Sequence, residues 1–369
     1  MRHSNLIPLL AMFLSACESS VELAPSDPNE LPPPPVSFRS SSDPTSLGQV
    51  SELVGDLLVD DQRIYWEGSD GVASERWLRS CEKQNCARTV VSYARSAGSF
   101  AVESGKVFWL GQADFPGCTV VLSCDVGGCD GAPREVGRPS VNNCSFATSY
   151  DADFAYVCGI EMLQKIPLSG VGEPVQLASP NDCSAVAVRD GFVYWLDTRE
   201  PLSNLLALRR TSIDGSSGAE LLADNLRVLN SGGTYPTEDY PVQNLTVDSS
   251  FVYWSQGSLS GAIARCPLTG CVGDPAIITQ SVRSPKGIVL DGDTLYFQNQ
   301  TSDGAWAISR VPLAEGATAE TLVKDVATMS ALAVDDRYLY TATTEQTPNS
   351  DGTWSNPWAS IRRISKVAE

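Results

Sequence analysis

The chain has a single histidine in 369 residues, and it stands at the third position, His3. Everything after that point is without imidazole. Ser-His-Asp and Cys-His nucleophile systems, histidine general bases, haem ligation and most zinc or copper sites fall away together. Positive charge is also scarce. Twenty-six Lys and Arg face 44 Asp and Glu, a formal net charge of −18, and no stretch is rich in Lys or Arg. A phosphate backbone needs the opposite sign, which argues against nucleic acid as a partner, and an anionic lipid surface would repel the folded part. No Gly-rich phosphate loop occurs; Gly127-Gly128 and Gly232-Gly233 read as turn glycines.

What the chain has is repetition. Residues 57–66 (LLVDDQRIYW), 100–109 (FAVESGKVFW), 148–157 (TSYDADFAYV), 186–195 (VAVRDGFVYW), 245–254 (LTVDSSFVYW), 288–297 (IVLDGDTLYF) and 332–341 (LAVDDRYLYT) are versions of one sentence. Its aromatics are Tyr65, Phe108, Tyr156, Tyr194, Tyr253, Tyr296 and Tyr340, at separations between 38 and 59 residues. Each version is two β-branched and aromatic runs around a polar pair such as Asp60-Asp61, Ser104-Gly105 or Asp190-Gly191, which predicts a tight hairpin. A second hairpin follows, as at 206–223, 262–279 and 307–323. Four strands in about 40 residues is the size of one propeller blade. The sequence therefore predicts an all-β, seven-bladed β-propeller of four-stranded antiparallel blades over residues 47–369.

The seventh copy is short of a strand, since only 360–365 follows it before the chain stops. A strand-like run at 47–53 precedes the first copy and is expected to complete the last blade, removing an open edge. A frayed last blade is the alternative.

The chain opens with Arg2, His3 and an apolar run at 6–14, too short to span a bilayer and suited to a secretory signal. Leu14-Ser15-Ala16-Cys17 resembles the bacterial lipobox. The resemblance implies a leader at 1–16 and lipidation of Cys17, and Glu18 after it implies the outer membrane. Acyl chains alone would then anchor the protein in the cell envelope. Residues 17–46 are rich in Ser, Pro and acids, and read as a disordered or polyproline tether.

Setting Cys17 aside leaves an even number of the 11 cysteines, as expected of five disulfides in an oxidising compartment. Cys81/Cys86, Cys124/Cys129 and Cys266/Cys271 share one spacing, each flanking the turn between third and fourth strands. A zinc site is the rival, but the gap is wrong for a zinc ribbon and no histidine is available. Cys118, Cys144, Cys158 and Cys183 fall on one rim. Pairing Cys118 with Cys144 and Cys158 with Cys183 would staple adjacent blades. Cys144 with Cys158 is the competing pair.

The recurring acids Asp60, Glu103, Asp151, Asp190, Asp248, Asp291 and Asp335 sit in the first hairpin turn, where Asp bonds its own backbone. Weak calcium binding is the functional alternative, most plausible at Asp291-Gly292-Asp293. No other cofactor is implied. Trp66, Trp109, Trp195 and Trp254 are expected in the core between blades. Two insertions, 224–243 and 343–359, open by strand parity onto one face with the shorter loops 67–75, 111–117 and 197–204. They carry Tyr235, Glu238, Asp239 and Tyr240 in the first and Trp354 and Trp358 in the second. Aromatics among carboxylates would suit a carbohydrate or a cationic peptide.

The block Tyr253-Trp254-Ser255, followed by Ile263-x-Arg265-x-x-Leu268-x-Gly270, resembles the YWTD propeller repeat of lipoprotein-receptor ectodomains. It departs from it in lacking Thr-Asp after Tyr-Trp and in counting seven copies where that family has six blades. With the lipobox and the Cys-flanked hairpins, the chain is similar to secreted bacterial propeller lipoproteins with YWTD-like or NHL-like repeats. The resemblance implies a monomeric, non-enzymatic module binding a protein or carbohydrate ligand, and supplies no catalytic residues. A carboxylate-based glycan hydrolase or lyase in the channel mouth is the alternative from another class, and a purely structural envelope protein is a third. With the cysteines paired and no histidine, any activity of the unreduced protein should survive thiol alkylation; loss of activity on alkylation would overturn the cysteine assignment.

Overall fold

The computed structural model describes residues 38–39, 46–69, 76–96, 99–111, 120–140, 147–198, 205–227, 245–257, 260–326, 331–345 and 358–366. Among them every element is a β-strand except a three-residue 3-10 turn, Cys86–Arg88. The strands pair antiparallel in six sheets. Four sheets are four-stranded in chain order. They begin at Leu53–Val59, Phe100–Glu103, Ala147–Tyr150 and Cys183–Arg189.

A fifth sheet runs from Leu245–Val247 to Glu320–Val326 in seven strands. Its middle strand, Ala276–Asp291, pairs at its start with Gly261–Pro267 and at its end with Thr294–Gln300. It therefore closes one four-stranded group and opens the next. The last sheet holds Leu332–Val334, Tyr338–Glu345 and Trp358–Ser365, and then receives Ser46–Val50 from the front of the chain. The expected closing run thus divides: it pairs with the last strand only as far as Val50, and Leu53 already begins the first sheet. Phe38–Arg39, from within the segment read as tether, adds a fifth strand outside it.

Both faces of these sheets are apolar, so each must be covered by a neighbour. The residue after the motif aromatic does this. Trp66, Trp109, Trp195 and Trp254 are at most 1% exposed. Trp109 packs on Tyr65 and Leu78, Trp195 on Tyr156 and Leu163, and Trp254 on Tyr194 and Leu208, in each case the preceding group. Phe297 packs on Tyr253 and Ile263. Trp66, in the first group, packs on Tyr340, Ala342 and Ile361 of the last. The tryptophans are core, as expected.

Two backbone devices repeat beside this packing. The amide after each third strand donates to a carbonyl in the first hairpin turn of its own group. Lys83 bonds Gln62, Val126 bonds Gly105, Leu168 bonds Asp153, Ile213 bonds Gly191, Leu268 bonds Ser250, Leu313 bonds Asp293, and Lys366 bonds Arg337. Between groups, a cation opposite the motif tyrosine reaches the next group's turn. Lys165 donates to the Ile213 carbonyl at 2.7 Å and Arg265 to the Leu313 carbonyl at 2.7 Å; Arg210 and Arg310 reach the carbonyls of Leu268 and Lys366. Lys165, Arg210 and Arg265 also lie over the rings of Phe154, Phe192 and Phe251.

The segment joining Ser46–Val50 to the first sheet is pinned by charge. Glu52 is 4% exposed and accepts from Trp66 Nε1 at 2.5 Å and from Arg79 Nε at 2.9 Å, and Arg79 is itself 1% exposed. Gly68 leaves room for that carboxylate, since a Cβ there would lie 2.4 Å from Glu52 Oε1. Burial pushes the Glu52 carboxyl above its ordinary value, with Arg79 and the indole opposing. Glu52→Leu strands the Arg79 guanidinium in the interior. It should destabilise the protein by about 3–5 kcal/mol in urea unfolding; a change within error would show that the pair does not hold the junction.

Candidate functional site

In each group the second and fourth strands end at the same end of the sheet. The connections to the third strand and to the next group therefore leave from one face. At the opposite end lie the connections between third and fourth strands and the turns between first and second strands. Four of the turns between first and second strands are built by the recurring aspartates. Asp60 Oδ1 accepts from the amides of Gln62 and Arg63, at 2.8 and 2.7 Å, while its Oδ2 accepts from Tyr65 Oη at 2.7 Å. Asp151, Asp248 and Asp335 repeat the arrangement with Tyr156, Tyr253 and Tyr340. Of the other three acids, Glu103 and Asp291 flank two-residue turns and Asp190 is the first residue of one. Ser104-Gly105 and Asp190-Gly191 take positive φ at both residues (50° and 76°, 49° and 80°), the twist that matches a hairpin. Asp291, the centre of the calcium alternative, receives the Lys366 ammonium at 2.6 Å instead. No cluster of three metal-ligating side chains occurs among the described residues.

On the connection face, buried carboxylates pair with arginines that remain partly exposed. Glu67, with 4% of its side chain exposed, accepts from Arg76 at 3.1 Å. Asp197 accepts from the amides of Asn181 and Asp182 at 2.8 and 3.3 Å and pairs with Arg209 at 3.3 Å. Burial raises the Asp197 carboxyl, against those amides and Arg209. Further round, Lys286 Nζ stands 4.0 Å from the centre of the Trp306 ring, and burial lowers its ammonium. Gln298, directly across from Lys286, is 2% exposed.

The expected ligand-binding residues Tyr235, Glu238, Asp239, Tyr240 and Trp354 lie outside the described residues, as does Cys17. Trp358 opens a strand paired with Glu345, and its side chain is outside the description. Among the described residues there are four disulfides: Cys81–Cys86, Cys124–Cys129, Cys266–Cys271 and Cys158–Cys183. The last, with Cα atoms 5.7 Å apart, staples two consecutive sheets, so Cys158 is not paired with Cys144. Cys118 and Cys144 lie outside the described residues. The sequence did not single out Lys286, Gln298 or Trp306, which stand in an ordinary copy of the repeat; the place of Gln298 is Leu110 or Leu196 in two copies and Glu67, Cys158, Ser255 or Ala342 in the others.

No family model matches the chain, and no curated protein matches it. Solved structures do. The β-propeller domain of the Trilobed protease from Pyrococcus furiosus aligns at a TM-score of 0.55 and 8% identity, over 85% of this chain and 97% of that one. Prolyl oligopeptidase B from Galerina marginata aligns at 0.53 and 11%, over 86% of this chain and 48% of that one. The chain thus spans about half the length of the oligopeptidase. At these identities the likeness shows the fold alone: a β-propeller.

The turn end gives a measurable consequence. Burial works against ionisation of Asp335, but the Lys83 ammonium at 2.6 Å, two amides and Tyr340 outweigh it and hold the carboxyl well below the usual range. Lys83 belongs to the first sheet and Asp335 to the last. A depressed carboxyl stabilises the fold above its unfolded value and loses that contribution as pH falls through its folded one. Asp335→Asn should cost about 1–3 kcal/mol at pH 7, and the gap from wild type should close on acidification from pH ~4 downward. Equal losses at neutral and acid pH would rule out the ion pair as the cause.

Proposed function

We propose that the chain is a seven-bladed propeller, with Ser46–Val50 as the fourth strand of its last blade, acting as a non-enzymatic binding module. It works as a monomer, carried at the outer membrane by a lipid on Cys17, and presents the connection face to a protein or carbohydrate ligand. The observation that carries this reading is the asymmetry of the two ends. The first-hairpin turns are spent on backbone and Asp–Tyr bonds, while the two longest insertions, 224–243 and 343–359, connect strands that end on the connection face. A rigid scaffold with its variable loops gathered on one face is the usual layout of a recognition surface. Four disulfides among the described residues agree with an exported protein.

The alternative, carboxylate-based glycan hydrolysis or lysis, draws support from Asp197, whose raised carboxyl would suit a general acid. Against it, the buried carboxylates of the connection face are already committed. Glu52 bonds Arg79 and Trp66, Glu67 bonds Arg76, and Asp197 bonds Arg209. A free acid and a free base flanking one bond are what the reaction requires.

Glycan-array and pull-down screening of the full chain tests the proposal. We expect saturable binding of a ligand that is recovered unchanged. Recovery of a cleaved glycan, with loss of cleavage in Asp197→Asn, would establish the enzyme reading instead.

A further inference from the structure

The last sheet differs from the others by one strand. Among the described residues no other four-stranded group has a strand beyond its fourth, but here Phe38–Arg39 lies outside Ser46–Val50. Phe38 pairs with Val50 and Arg39 with Gln49. On its inner side Ser46–Val50 pairs with Trp358–Ser365 along its whole length. Residues 40–45 join the added strand to the strand it covers.

A strand edge offers a row of backbone donors and acceptors to any other strand, and proteins guard it with charge or with a cover. The fourth strands follow that rule. Val91–Ser96 carries Arg95, and Arg134–Gly137 carries Arg134 and Glu135. Glu220–Arg227 carries Glu220, Asp224 and Arg227, and Glu320–Val326 carries Glu320, Lys324 and Asp325. Three have no charge: Val175–Ala178, residues 276–282 and Ser46–Val50. On the first, Gln176 turns its own amide onto the carbonyls of Ala178 and Glu161. On the second, the Gly316 amide of the next group donates to the Ile277 carbonyl at 3.1 Å. On the third lies Phe38–Arg39.

This cover is separable from the ring. Two residue pairs hold it on the outer side. The closing strand keeps its inner ladder without it, Val50 is 0% exposed in the core shared with the first group, and Glu52 is fixed by Arg79 and Trp66.

We propose that the outer edge of Ser46–Val50 is a pairing site for the same strand of a second copy of this chain, held closed by Phe38–Arg39. Antiparallel pairing about Gly48 sets Ser46 opposite Val50 and Leu47 opposite Gln49, a two-fold arrangement that closes at two copies. Val50 and Gln49 are the positions that Phe38 and Arg39 occupy, so the covered and paired states exclude each other. The chain's net charge of −18 opposes self-association over most of the surface. A strand without charge is where two copies meet free of that repulsion. The monomer is the covered state, and the inference does not depend on any ligand.

The test is sedimentation velocity over a concentration series, with amide hydrogen exchange of residues 46–50. It compares the full chain, the double variant Phe38→Pro/Arg39→Pro, and that variant with Gln49→Lys added. Proline has no amide to give to the ladder. The short join at 40–45 gives the cover an effective concentration of about 1 mM, so the wild type should stay monomeric well below that. The double-proline variant should dimerise at concentrations at least about tenfold lower than the wild type, and go no further than a dimer. Its 46–50 amides should gain protection as the concentration rises. Adding Gln49→Lys should return it to a monomer, because it sets like charges along the paired edge. A double-proline variant that stays monomeric, with 46–50 exchange independent of concentration, would overturn the proposal. So would an assembly that Gln49→Lys leaves in place, whether formed by misfolding or through another surface.

Discussion

Every sheet in this protein has two apolar faces and therefore no stable existence alone. That constraint organises the rest. The motif aromatic and its neighbour point to opposite sides of one strand, so a single Tyr-Trp pair covers the group behind and the group ahead. Tyr194 sits under Trp254, and Trp195 packs over Tyr156. Burying a side chain of this size is worth roughly 1.5–3 kcal/mol, and the pattern makes each group a condition for the next. The first and last groups meet in the same way, Trp66 against Tyr340 and Ile361. The cation latches run in the same direction as the packing. Lys165, Arg210, Arg265 and Arg310 each reach forward by one group.

Much of this was legible in the sequence because it follows period-two patterning and turn chemistry. The aspartate that starts the first turn announces itself by spacing: two residues to the first amide it accepts, five to the tyrosine hydroxyl it holds. The cysteines five apart read as bridges because a hairpin brings such positions together, and Cys81–Cys86 shows Cα atoms at 4.8 Å. The forward-reaching cations were in view as the Arg265 of the repeat block, yet their role was not. A strand places Arg265 opposite Tyr253, but only the twist between neighbouring groups decides that it reaches the Leu313 carbonyl. Glu52 was hidden for the same reason. Nothing local marks it, and its partners lie 14 and 27 residues away.

Departures from a repeat carry more information than the repeat itself. A sequence that writes Trp or Phe at one place and then writes Thr has given up apolar burial there. Thr341 is as fully buried as the indoles it stands in for, so the loss is not a matter of exposure. The same junction holds Gln298, at a place that is Leu110 or Leu196 in two copies and Glu67 or Ser255 in two others. A chain selected only for stability would restore the apolar residues, since an unpaired buried hydroxyl or amide costs about 1–3 kcal/mol.

The junction also sits where such a concession does least harm to the ring. Its strands are held on either side by covalent backbone continuity through Ala276–Asp291 and by the Lys366–Asp291 ion pair, 2.6 Å long, at the turn end. Arg310 adds a bond to the Lys366 carbonyl. The turn end is thus clamped by charge, while the connection end carries Gln298, Thr341 and Thr343, each at most 5% exposed. A β-propeller gains rigidity from its neighbours by repetition.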